Sequence, residues 1–174
     1  ILFTDEKLSE DNIVYKEIGQ FEVMAIISNQ QLSALLDADN CINSLGIKEK
    51  VCPYLLPKHF NQFTLLTYPL PPEQLDIFKL FLTPAKCKPS KVKQVTNSHV
   101  MLQMVSADMG VATLPDWLVT SASKQSLFHC MRLGESGIHK KLYARYDKNS
   151  SQLAMIEKLL PEAIKEFANL YSEK

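Results

Sequence analysis

Residues 91–110, KVKQVTNSHVMLQMVSADMG, decide the fold. Lys91 to Val95 reads as a short strand. Thr96-Asn97-Ser98 is a cluster of residues whose side chains accept hydrogen bonds from the first free N–H groups of a helix. The helix that follows, over 98–109, carries Met101, Leu102, Met104, Val105 and Met109, and Gly110 is placed to end it. A strand that runs into a helix N-terminus is the repeating unit of an α/β fold. Ligands of such folds gather beyond the carboxyl ends of the strands.

The flanking segments repeat the alternation. Upstream, Phe63 to Tyr68 (FTLLTY) is a strand stopped by Pro69. Pro71-Pro72-Glu73 then opens a helix whose apolar face is Leu75, Phe78 and Leu82, extended by Ile77 and Phe81. Further back, Phe21 to Ser28 is a strand with Phe21, Val23, Ala25 and Ile27 on one face, and residues 1–4 read as a short buried strand. Residues 32–45 have a helical bias with Gly46 as a stop, and Lys58-His59-Phe60 forms one helical turn. Downstream come a strand Val111 to Leu114 and a short helix over 116–124. Strands Phe128 to Leu133 and Leu142 to Tyr146 follow, parted by a loop with Gly134 and Gly137. From about Ser151 a long helix carries the stripe Leu153, Ile156, Leu160, Ile164, Phe167 and Tyr171, and Pro161 inside it predicts a kink or a split. The fold class is α/β around mixed sheets with flanking helices.

Composition narrows the function. The chain has 174 residues, enough for one domain or one and part of another, and its 46% hydrophobic and 22% charged residues exclude bulk disorder. Nineteen basic and nineteen acidic side chains cancel, which argues against a surface that grips nucleic acid by charge alone. No apolar run is long enough for a transmembrane helix. The start, ILFTDEKLSE, has no initiator Met and no secretory signal, and reads as cut within a strand. Cys41, Cys52, Cys87 and Cys130 follow no metal spacing and read as free thiols packed as small hydrophobes. Phosphate-binding glycine loops are absent.

Three strand or helix ends are candidate ligand contacts: Thr4, Thr67-Tyr68, and Thr96-Asn97-Ser98. The helix N-terminus at Asn97-Ser98 offers N–H groups and partial positive charge to a carboxylate. Capping of its own helix by Asn97 is the alternative, and the two are compatible because a cap leaves other N–H groups free. Thr67 and Tyr68 offer hydroxyls, while the Tyr68 ring serves equally as a cover for the core. His59, His99, His129 and His139 are scattered, and no nucleophile, base and orienting group assemble, so an enzyme is the weakest reading. The methionines 101, 104 and 109 read as core filler, and the lysines of KCKPSKVK (86–93) as a solvated loop and strand edge.

The stretch from Leu66 onward resembles the effector-binding domain of LysR-type transcriptional regulators. TYPLPPEQLDIFKLFLTPAKCKPSKVKQVTNSHVMLQMVSADMGVATLPDWLV carries the likeness. Its MLQMVSADMGVATLPDWLV portion is similar to the branch that regulates methionine biosynthesis, where a strand, an Asn-Ser/Thr pair, a helix ending in Met-Gly and a Leu-Pro-x-Trp follow in order. ILFTDE, FEVMAIIS and LGESGIHKKLYARYDK extend it more weakly. The resemblance implies a type II periplasmic-binding-protein-like fold of two α/β lobes with an effector in the cleft. Residues 27–137 would be the whole second lobe, and 1–26 with 138–174 part of the first. The DNA-binding winged helix–turn–helix would precede these residues. It further implies that Asn97-Ser98, Thr67-Tyr68 and Thr4 face the cleft, and that a homocysteine-like co-effector sets its carboxylate on the Asn97-Ser98 helix end. A cytoplasmic homodimer or tetramer is expected, with no cofactor, metal or membrane. A solute-binding protein of a transport system is the alternative that shares the architecture.

Overall fold

The computed structural model describes residues 1–38, 54–120 and 127–172. Two compact units emerge, residues 1–22 with 139–174, and residues 23–138.

In the first unit, β1 (Leu2–Thr4) pairs antiparallel with β8 (Ile138–Asp147), Phe3 opposite Ala144, and β8 is followed in sheet order by β2 (Ile13–Ser28). Helix α4 (Leu153–Ser172) presses its predicted stripe onto this sheet, where Ile156 and Leu160 are buried with Ile18 and Ala144. Phe167 lies so close to β2 that a Cβ at Gly19 would stand 2.4 Å from its ring, so the glycine is what admits the aromatic. Two expectations are revised here. Of the kink or split expected at Pro161, the split does not occur, and α4 runs unbroken from Leu153 to Ser172. Both Pro161 and Glu157 are exposed, so the carbonyl that loses its helical donor is open to water. The strand β1 is not buried either: Leu2 and Phe3 are 55% and 51% exposed, because β1 is the last strand of the sheet order and pairs with β8 alone.

The second unit is a mixed sheet in the order β3-β7-β2-β6-β4-β5. Its strands are β3 (Tyr54–Leu55), β4 (Thr64–Thr67), β5 (Lys91–Gln94), β6 (Val111–Pro115) and β7 (Phe128–Leu133), with residues 23–28 of β2 at the centre. β4 runs parallel to both β5 and β6, and β2 runs antiparallel to β6 and β7. The expected alternation in β2 is exceeded: Val23, Ala25 and Ile27 are buried, and so are Ile26 and Ser28. A central strand covered on both faces has this pattern. β2 also begins eight residues before its predicted start, at Ile13 instead of Phe21.

Helix α2 (Ser98–Ser106) covers this sheet with Met101, Leu102 and Val105, packed on Ile26, Leu66, Ala112, Leu114 and Val119. Full burial of each such side chain stabilises by roughly 1.5–3 kcal/mol. Helices α1 (Asn29–Ala38) and α3 (Asp116–Thr120) complete the unit, and the predicted stop at Gly46 and helix over 121–124 lie outside the described residues.

Two helix expectations are corrected. The segment after Pro71 is not one helix. A 3₁₀ turn, Pro72–Gln74, gives way to extended backbone at Leu75, then to a wide i→i+5 turn at Ile77–Leu82. That wide turn puts Ile77 and Leu82, five residues apart, into the core together, and sets Phe81 edge-to-face on Phe60 at 5.9 Å. Gly110 does not terminate α2. The helix ends at Ala107, and Asp108 takes the left-handed conformation (φ 61°), with Met109 N–H bonding to Met104 O and Asp108 N–H to Val105 O. Gly110 serves close approach instead: with φ 155°, a Cβ there would stand 2.6 Å from the Thr64 carbonyl oxygen. Met101 is buried as expected of core filler, whereas Met109 is 50% exposed. Cys87 is half-buried and Cys130 exposed, so the latter does not pack as a small hydrophobe; Cys41 and Cys52 lie outside the described residues.

Candidate functional site

The parallel register of β4 and β5 sets Thr67 opposite Gln94, so both strands end side by side. Val95 N–H donates to the Thr67 carbonyl at 2.8 Å, which carries the pairing one residue further. Thr96, Asn97 and Ser98 therefore enter α2 beside Thr67 and Tyr68, at the carboxyl ends of two parallel strands. This is where an α/β sheet leaves room for a ligand.

Asn97 caps α2. Its Oδ1 accepts the N–H groups of His99 at 2.8 Å and Val100 at 3.2 Å, and its backbone is extended. Capping thus uses the carbonyl of the Asn97 side chain. The Ser98 N–H has no partner among the described residues and remains at the positive end of the helix. Thr67 is 5% exposed, and its hydroxyl has no hydrogen-bond partner. A buried hydroxyl left unbonded costs about 1–3 kcal/mol, which a hydrogen-bond partner would recover. The Tyr68 ring packs against the α2 core cluster as a half-buried rim residue.

Thr4 behaves differently. It belongs to the first unit, and its hydroxyl closes a local turn, accepting Glu6 N–H at 3.2 Å and donating to Glu6 O at 3.3 Å. Structure brings five of the six candidates together in one unit, and Thr4 is the sixth. His99 is exposed and lines an open apolar groove on the outer side of α2 with Val100 and Met104. His59 is a structural residue, buried with its Nδ1 accepting Leu56 N–H at 3.1 Å. Among the described residues, no three His, Cys, Asp or Glu side chains cluster as metal ligands, and no helix is long and apolar enough to cross a membrane.

Residues 52–168 match the model of the LysR substrate binding domain, and the chain belongs to that family. Its relatives include the HTH-type transcriptional regulator MetR of Buchnera aphidicola subsp. Schizaphis graminum, 35% identical over 144 residues that cover 83% of this chain and 41% of that protein. MetR of Escherichia coli K12 is 32% identical over 144 residues, covering 83% and 40%. The chain thus spans about two fifths of the length of these relatives. In structure it is similar to the regulatory domain of MetR, a LysR family regulator from N. meningitidis. The TM-score is 0.75 at 22% identity, with 97% of this chain and 71% of that one covered. The BenM effector binding domain with its effector benzoate has a TM-score of 0.61 at 15% identity, covering 99% and 70%. The fold is that of LysR regulatory domains, type II periplasmic-binding-like, and the relatives are transcriptional regulators, not enzymes or transport proteins.

Proposed function

We propose that these residues are the effector-sensing part of a cytoplasmic regulator of methionine or sulfur amino-acid metabolism. The two compact units are read as its two lobes. The co-effector is a small amino acid of homocysteine type. Its carboxylate accepts hydrogen bonds from the Ser98 N–H and the Asn97 amide at the α2 N-terminus, and the Thr67 hydroxyl bonds a second polar atom. The single observation that carries this reading is the buried, unbonded Thr67 hydroxyl beside the capped helix end. Occupancy shifts the balance of conformations, and DNA affinity follows through a helix–turn–helix in the part of the parent protein outside these residues.

Calorimetric titration of the intact regulator with homocysteine tests the site. Thr67→Val removes the hydroxyl at constant shape and weakens binding by about tenfold, the equivalent of one lost hydrogen bond of ~1.4 kcal/mol. Asn97→Ala and Tyr68→Phe also weaken it without unfolding the protein. Unchanged affinity in all three removes the assignment. Self-association into a homodimer or tetramer accompanies this reading, supported by the exposed apolar side chains Val100 and Met109 of the α2 groove. Val100→Glu lowers the assembly state in sedimentation if that face is used.

A further inference from the structure

A cavity of about 540 Å³, lined by neither Thr67 nor Ser98, opens in residues 23–138. Pro72, Phe78, Pro89 and Val92 form apolar walls, and Lys86 and Lys88 stand at its rim. Its volume lies within the roughly 300–1,000 Å³ of small-molecule pockets. The chain segment that supplies most of its lining is basic, while Glu73 and Asp76 follow the lining residue Pro72. From Ile77 to Ala107 the sequence holds no Asp or Glu, yet it supplies Lys79, Lys86, Lys88, Lys91 and Lys93, in a chain of zero net charge. The ammonium groups of Lys86 and Lys88 pair with no acid among the described residues. Both residues are held by the backbone: Lys86 is left-handed (φ 55°) with its N–H on Thr83 O at 3.0 Å, and Lys88 N–H donates to Asn61 Oδ1 at 3.3 Å.

Unpaired ammonium groups over apolar walls are complementary to an anion that carries an apolar body. A nucleic-acid backbone fits less well. Lys91 and Lys93 alternate with Val92 along β5, so they sit on the opposite face from the residue that lines the cavity, and the lysines do not form one row. We propose that this cavity is a second binding site, for a small organic monoanion whose carboxylate lies between Lys86 and Lys88 and whose apolar body rests on Phe78 and Val92.

The test uses 4-phenylbutyrate as probe and 4-phenyl-1-butanol as its uncharged counterpart, followed by amide NMR shifts. The expected result is saturable shifts at Phe78, Lys86, Lys88 and Val92, with the acid bound about tenfold or more tighter than the alcohol. Lys86→Gly keeps the left-handed backbone while deleting the ammonium, and Lys88→Gln keeps the side-chain length. Each loosens the acid several-fold and the pair about tenfold or more, with the spectrum of the free protein otherwise retained. Asn97→Ala leaves this binding unchanged, which separates the site from the one at Thr67. No saturation by about 10 mM, equal affinity for acid and alcohol, unchanged affinity in the double variant, or shifts confined to Thr67, Tyr68 and residues 96–98 each overturn the proposal.

Discussion

Helix α2 and the wide-turned segment Ile77–Leu82 both close on a left-handed residue that is not glycine, Asp108 at φ 61° and Lys86 at φ 55°. Their backbone bonds match. Met109 N–H returns to Met104 O and Asp108 N–H to Val105 O; Cys87 N–H returns to Leu82 O and Lys86 N–H to Thr83 O. The side chains part company. Asp108 accepts a hydrogen bond from Ser28 Oγ, and the same hydroxyl accepts Gln31 N–H at 3.1 Å, so one serine joins the end of β2, the start of α1 and the end of α2. Lys86 reaches no acid among the described residues and stands over a cavity. The same costly backbone position is offset by a bond in one case and carries an exposed ammonium with no acid beside it in the other. The first reads as construction; the second leaves a cation available to the proposed anion.

Substitution can break this contrast, and the largest effect falls on its bonded side. Ser28→Ala strips the Asp108 carboxylate of its donor and α1 of a first-turn acceptor, and urea unfolding should show a loss of about 2–3 kcal/mol. Asp108→Gly relieves the left-handed strain but loses the charged hydrogen bond, for a net loss of about 1 kcal/mol in the same assay. Lys86→Gly has the opposite sign. It relieves the strain and gives up no bond, so the midpoint should rise by up to about 0.5 kcal/mol. A loss there would reveal a hidden partner for Lys86 and end the comparison.

The smallest effect comes from a lysine that does have a partner. Lys141 Nζ lies 2.8 Å from Glu17 Oε2 in the first unit. The hydrogen bond to Lys141 lowers the Glu17 carboxyl below its ordinary range, and the bond to Glu17 raises the Lys141 ammonium above its own. The lowered Glu17 stabilises the fold above its unfolded pKa, and that contribution fades as pH falls through the folded value. The raised Lys141 stabilises below its unfolded pKa, and that contribution fades as pH rises through the folded one. Lys141→Gln should therefore flatten the acid limb of a stability–pH curve slightly, an effect that salt erases because the pair is exposed. Lys86→Gly should leave that limb unchanged.

Sequence legibility followed the same divide between bonded and unbonded. Elements with short-range signals were readable: the Asn97 cap, the strand Phe63 to Tyr68 and the α4 stripe each depend on neighbours within a few residues. What escaped depends on distant partners. The exposure of Leu2 and Phe3 is set by sheet order, the passage of α4 through Pro161 by solvent at Glu157, and the wide turn at Ile77–Leu82 by the core that receives both ends. Gly110 was assigned to the wrong task because its reason, the Thr64 carbonyl, is far off in sequence. At the candidate site, residue types and strand-end positions were legible, but the unbonded state of the Thr67 hydroxyl was not. The lysines of 86–93 read as a solvated loop and strand edge, and Lys86, Lys88, Lys91 and Lys93 are indeed exposed on a loop and the last strand of the sheet order. Sequence cannot show, however, that Phe78 and Val92 line a cavity with Lys86 and Lys88.

The unbroken run of β2 from Ile13 to Ser28 has a consequence for how this sequence can change over time. Strand side chains alternate strictly, so inserting or deleting a single residue near Glu22 would turn every later position of β2 to the other face, or force the strand to bulge. Ala25 and Ile27 would exchange places with Met24 and Ile26 against β6 and β7. Homologous chains should accordingly vary in length in their loops, while the sixteen positions of this strand drift by substitution alone.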